Sequence, residues 1–130
     1  MQLVNTTLLL LLQTQKWCRD CRIHGLWPQT ACYCPSEPYK GITDTTLRNS
    51  LLEAWSAPCE GSSSDTLWSH EWTKHGSCSG LPIDTYFQRG LDLFSRHRDA
   101  LCREGHLCFT LDGQVMPCGP APVPESCKGT

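Results

Sequence analysis

The 130-residue sequence predicts one α+β domain held together by disulfides. Three observations carry this expectation. Two stretches place apolar residues at helical intervals, short apolar runs flank Asp112-Gly113, and ten cysteines are spread along the chain. Such cysteine usage is far above average and points to an oxidising compartment. Spacing alone leaves the pairing open. A composition of 39% hydrophobic and 18% charged residues excludes a disordered chain. A net charge of −2 excludes general attraction for nucleic acid, so any grip on a polyanion must come from a local patch. A module that merely coats nucleic acid would be basic, so the balance favours an enzyme.

The elements follow in chain order. Leu8 to Leu12 is an apolar run too short to span a membrane, and it reads as a signal-peptide core, making residues 1–16 a signal segment. No lysine or arginine precedes it and Gln13-Thr14-Gln15-Lys16 is a poor cleavage site, so secretion rests mainly on the cysteines. Asn5-Thr6-Thr7 fits the glycosylation acceptor pattern. Thr43 or Asp44 can cap a helix through Leu47, Leu51, Leu52 and Trp55 that ends before Pro58. Gly61-Ser62-Ser63-Ser64-Asp65 reads as a flexible loop. Pro82 to Arg98 reads as a second helix with Tyr86, Phe87, Leu91 and Phe94 as its core stripe. Leu107 to Thr110 and Gln114 to Met116 form a short hairpin, and the tail from Pro117 is irregular and stapled by Cys127. There is neither a repeat nor a second domain, so residues 17–130 form a single unit.

The chemistry concentrates in two segments. His70-Glu71-Trp72-Thr73-Lys74-His75-Gly76 holds two imidazoles, a carboxylate and an ammonium, and Ile23-His24-Gly25-Leu26-Trp27-Pro28 adds a third imidazole beside an indole. This inventory suits phosphodiester cleavage. Attack by a hydroxyl and departure of an alkoxide each need a proton moved, so two groups in opposite protonation states must flank the phosphate. On a helix Glu71 and His75 share a face, Lys74 lies on an adjoining line, and His70 with Lys74 forms a second row. A carboxylate beside an imidazole raises its pKa, which suits a base working near neutrality.

A lone histidine is usually a surface or half-buried polar residue, and His97 and His106, among ordinary charged neighbours, read as solvated. Trp55, Trp68 and Trp72 read first as core. A zinc-protease helix needs histidines four apart, whereas His70 and His75 are five apart, about 140° off a shared face. Cys18-x-x-Cys21 with Cys32-x-Cys34 resembles a thiolate zinc module, but the other cysteines lie at wide, unequal intervals, as in a disulfide framework. No metal is expected.

His24-Gly25-Leu26-Trp27-Pro28 and His70-Glu71-Trp72-Thr73-Lys74-His75-Gly76-Ser77-Cys78 together resemble the two active-site segments of the T2 family of secreted acid ribonucleases. This family includes the plant self-incompatibility ribonucleases. The resemblance covers Ile23 to Phe94 well and Leu107 to Cys127 more loosely. It implies metal-independent, cofactor-free cleavage of single-stranded RNA by transphosphorylation to a 2′,3′-cyclic phosphate. DNA, lacking the 2′-hydroxyl, is refused.

By position, His75 matches the general base and His24 the general acid. Glu71 and Lys74 match the groups that stabilise the phosphorane, His70 the histidine that holds the phosphate, and Trp27 a base-stacking residue. Stacking is worth about 1–3 kcal/mol per base and tolerates any base, so preference should be weak. The family pattern suggests bridges Cys34–Cys78, Cys108–Cys118, Cys102–Cys127, and Cys59 with Cys18 or Cys21, leaving Cys32 unassigned. Closing the Cys34–Cys78 loop should contribute roughly 2–4 kcal/mol.

The implied fold is a twisted antiparallel sheet with packed helices. It is an incomplete version, because the chain is short before His24 and passes almost directly from Phe94 to the terminal hairpin. A monomer in a secreted or vacuolar-lysosomal compartment, without membrane contact, is the expected state. Two other readings stand beside the enzyme: an inactive ribonuclease-like recognition protein or truncated fragment, and a cysteine-rich structural or metal-binding module.

Overall fold

The computed structural model describes residues 9–17, 20–57, 63–118 and 125–128. Leu9–Trp17 (β1) and Asp20–Pro28 (β2) pair antiparallel; β1 also pairs with His106–Thr110 (β3), which pairs with Val115–Met116 (β4). The sheet order is β2-β1-β3-β4, so the hairpin read at the C-terminus is present and β1 is an interior strand. Burial alternates along β1, with Leu10, Leu12 and Thr14 inside. From Leu9 onward the apolar run read as a signal-peptide core is therefore a core strand. Strand and signal core both ask for contiguous leucines, and pairing on both edges decides between them here. The Asn5 acceptor pattern lies outside the described residues.

Three helices pack on the sheet: Thr45–Ala54 (α1), Ser64–Lys74 (α2) and Ile83–Glu104 (α3). Asp44 caps α1 by accepting from the Leu47 N–H at 3.0 Å. Leu47 and Leu51 face inward, while Leu52, expected on the same stripe, is exposed. Ser63 accepts from the Thr66 N–H and starts α2, so Ser64 and Asp65, read as loop, are already helical. Gly61 and Ser62 lie outside the described residues. The first turn of α2 is tied to α1 and to the segment before it, because Arg48 pairs with Asp65 at 2.6 Å and Tyr39 donates to the same carboxylate at 2.9 Å.

The third helix runs on past Arg98 to Glu104, with non-helical dihedrals at His97. It stops at Gly105, whose φ of 91° is the left-handed conformation that glycine adopts without strain. The Gly105 carbonyl then accepts from the Thr14 N–H of β1 at 2.9 Å. His97 is corrected: it is half-buried at this kink, its ring packed 5.1 Å from Phe109. His106 is exposed, as read.

One core lies between sheet and helices, built from Trp55, Trp68, Trp72, Tyr86, Phe87, Phe94 and Phe109 with Leu10, Leu12, Ile23 and Leu26. Four disulfides are described. Cys34–Cys78 and Cys108–Cys118 are as the family pattern suggested. The pairing of Cys102 with Cys127 is overturned: Cys102, in the last turns of α3, bonds Cys21 at the start of β2, and Cys127 bonds Cys32. The end of α3 meets β1, where the Thr14 N–H and hydroxyl both donate to the Gly105 carbonyl, whereas the C-terminal turn Glu125–Cys127 reaches the loop after β2. That also removes Cys21 as a partner of Cys59; Cys18 and Cys59 lie outside the described residues. No helix among the described residues is long and apolar enough to cross a membrane.

The cap on α1 is testable. Asp44→Ala should lower stability by about 1 kcal/mol and Asp44→Asn by much less, measured by urea denaturation. Equal losses in the two variants would remove the cap from the account.

Candidate active site

The site begins with an irregularity in β2. Pairing steps from Gly25 opposite Gln13 to Ile23 opposite Thr14, so His24 is the extra residue of a bulge. In an unbroken strand, residues three apart point to opposite faces. The bulge cancels that alternation: Ile23 and Leu26 both enter the core, while His24 and Trp27 come together, ring centroids 5.2 Å apart and edge to face. The His24 carbonyl, displaced from the ladder, accepts from Trp55 Nε1 at 3.2 Å.

The second half of the site comes from the end of α2. Glu71 is on its last turn, and His75 caps it with its N–H donating to the Glu71 carbonyl at 3.0 Å. Trp27 joins the halves. Its indole Nε1 donates to Glu71 Oε1 at 2.8 Å, and its ring stacks on His75 at 4.9 Å with 23° between planes. Both imidazoles thus pack on one indole. The Cys34–Cys78 bridge, the Tyr33 N–H donating to the Lys74 carbonyl, and the Cys34 N–H donating to Ser77 Oγ hold the loop after β2 against the end of α2.

Burial sets the electrostatics. Glu71 is only 2% exposed, and desolvation pushes its carboxyl up to about 7, against the opposing pull of the Trp27 hydrogen bond and of Lys74. Desolvation, then the positive neighbours Lys74, His70 and His24, push His75 down to about 3. Burial and then His70 hold His24 below the ordinary histidine value of 6.5. The expected rise of the His75 pKa beside a carboxylate is not found. Glu71 is itself protonated through most of the acid range and directs its oxygen to the indole.

All six expected site residues gather here. His24, Trp27, Glu71 and His75 are linked by ring contacts and hydrogen bonding, and Lys74 and exposed His70 act on them electrostatically. Among the described residues, no group of three or more His, Cys, Asp or Glu side chains is placed to hold a metal ion. The reading of the sequence missed three participants. A Cβ on Gly25 would fall on Glu71 Oε1 and Trp27 Nε1, so only glycine lets that hydrogen bond cross the strand. Alternation on a strand sets Gly25 on the same side as Trp27, a signal available in the sequence. Tyr86, read as core stripe, is core, but its hydroxyl also donates to the Leu26 carbonyl at 2.7 Å. Cys32 Sγ lies 3.8 Å from His75 Nδ1, and no sequence signal marks it.

Comparison with known proteins gives the chain's relatives. The model of the Ribonuclease T2 family matches residues 8–102. Ribonuclease 1 of Arabidopsis thaliana is 38% identical over 84 residues, covering 57% of this chain and 36% of that protein. Extracellular ribonuclease LE of Solanum lycopersicum is 37% identical over 90 residues, covering 62% and 39%. The chain therefore matches under two-fifths of the length of these curated relatives. Among solved structures, a mutant of RNase MC1 in complex with 5′-GMP superposes with a TM-score of 0.73 at 19% identity, covering 90% of this chain and 98% of that one. At that identity the likeness is one of fold.

Glu71 offers a stability test. Its pKa is raised on folding from 4.5 to about 7, so its contribution is complete below 4.5 and is lost as pH rises through 7. Relative to Glu71→Gln, the wild-type chain should therefore lose on the order of 3 kcal/mol between pH 4.5 and pH 8, read from denaturation midpoints across pH. Parallel curves for the two proteins would show that the carboxyl is not buried as described.

Proposed function

The chain belongs to the ribonuclease T2 family, and from that premise we propose that it is an endoribonuclease that cleaves single-stranded RNA by transphosphorylation, without a metal. The observation that carries the proposal is the convergence of His24, from a strand, and Glu71 and His75, from a helix end, on one indole. His75, neutral above pH of about 3, takes the proton of the 2′-hydroxyl. The 2′-oxygen attacks phosphorus, and His24 in its protonated form gives a proton to the departing 5′-oxygen. The products are a 2′,3′-cyclic phosphate and a free 5′-hydroxyl.

Glu71 is protonated in the acid range, so it can donate to a phosphorane oxygen without repelling the anion, and Lys74 adds a positive charge. His70 binds the phosphate. One face of the Trp27 ring is taken by His75, so a substrate base would use the other. Binding to RNA is supported by the 5′-GMP complex of the structural relative. The four described disulfides and the extracellular tomato relative support a secreted or vacuolar location.

Oxidatively refolded protein should convert RNA to cyclic-phosphate ends at a rate unchanged by chelator, and His75→Ala should cost roughly 10²–10⁴-fold. A folded wild-type chain no faster than His75→Ala would leave a recognition protein as the surviving reading. The rate should be bell-shaped in pH, rising as His75 loses its proton at low pH and falling as His24 loses its own below 6.5. An alkaline limb well above 6.5 would mean that His24 is not the acid.

A further inference from the structure

The contact between Cys32 and His75 is outside everything the proposed reaction uses. Cys32 is 3% exposed and His75 8%, and Sγ lies 3.8 Å from Nδ1. Because Cys32 is bonded to Cys127, its sulfur carries no hydrogen and can only accept. A neutral imidazole has one N–H and one lone pair. Were the lone pair on Nδ1, two acceptors would face each other in a buried setting where neither can be satisfied by water. The sulfur is also held from both ends. The Cys32 N–H donates to Ser126 Oγ at 2.8 Å, and the disulfide anchors the side chain to the same C-terminal turn. On another side the ring is fixed by the stacked indole of Trp27.

We propose that the Cys32–Cys127 disulfide is a positioning group that sets the tautomer of His75, keeping the proton on Nδ1 and leaving Nε2 as the proton acceptor. In histidine, which nitrogen is protonated is decided by the hydrogen bond that the other one makes. Here a bridged sulfur plays the part that a carboxylate or carbonyl usually plays. It does so as a weak acceptor that adds no negative charge beside the imidazole. The C-terminal turn is thereby coupled to the base, although Cys32 and Cys127 are 95 residues apart. The catalytic meaning of this inference rests on the proposed function; the tautomer does not.

The test is nitrogen NMR of the full oxidised chain labelled with ¹⁵N-histidine at neutral pH, with the His75 signals assigned by their loss in His75→Ala. The expected spectrum has a pyrrole-type Nδ1 and a pyridine-type Nε2. In Cys32→Ala/Cys127→Ala the signals should move toward the opposite tautomer. In Cys108→Ala/Cys118→Ala, which removes a bridge on β3 away from the ring, they should stay. A pyridine-type Nδ1 in the wild-type chain overturns the proposal, as does a folded Cys32→Ala/Cys127→Ala variant with an unchanged tautomer. Should that variant not fold, the wild-type spectrum decides alone. In RNA cleavage, kcat of the folded variant should fall with little change in KM, by no more than the ~10²–10⁴-fold that proton transfer contributes. A wild-type chain with the expected tautomer and no cleavage would leave this inference standing while the ribonuclease reading fell.

Discussion

The hydrogen bond from Trp27 Nε1 to Glu71 Oε1 is where the sheet and the second helix become one site. Everything around it is shaped to let it form. Gly25 leaves the space it crosses, the bulge at His24 brings that imidazole to the same side as the indole, and burial keeps the acceptor carboxyl largely protonated in acid. Removing a partner from such a pair would strand a buried polar group, which costs about 1–3 kcal/mol. The bond is therefore structural as well as chemical, and the halves of the site are not independent.

Burial explains why the site departs from the simple pairing of a carboxylate with an imidazole. In an open helix a charged Glu71 would raise the pKa of His75. Here desolvation acts on both, pushing the acid up and the base down until neither is charged over a wide span of acidic pH. The positive neighbours Lys74 and His70 push further in the same direction for His75. The disulfides make this dense arrangement sustainable in a short chain. Cys34–Cys78 and Cys32–Cys127 bracket the loop after the first motif, and Cys21–Cys102 fastens the start of β2 to the long helix.

Much of the fold was legible along the chain. The first helix is capped by Asp44, the long helix buries its Tyr86, Phe87, Leu91 and Phe94 stripe, and the terminal hairpin turns near Gly113, as their patterns required. The errors share one cause. An apolar run such as Leu8 to Leu12 has no period that separates a strand from a signal core, and the pairing that settles it lies at residues 106–110. The continuation of the long helix past Arg98, and the half-burial of His97, depend on Phe109 and on the strand that receives the Gly105 carbonyl.

By itself, the sequence determined the residue types of the site, their two clusters and the helical spacing that sets Glu71 and His75 on one face. These are local properties, fixed by covalent order and backbone period. Only the tertiary structure decided which way His24 faces, which cysteines bond and what touches His75 Nδ1. Those outcomes depend on contacts between residues 44 positions apart at Trp27–Glu71 and 95 apart at Cys32–Cys127. Local periodicity carries no information about partners at that distance, because they meet only when the whole core closes.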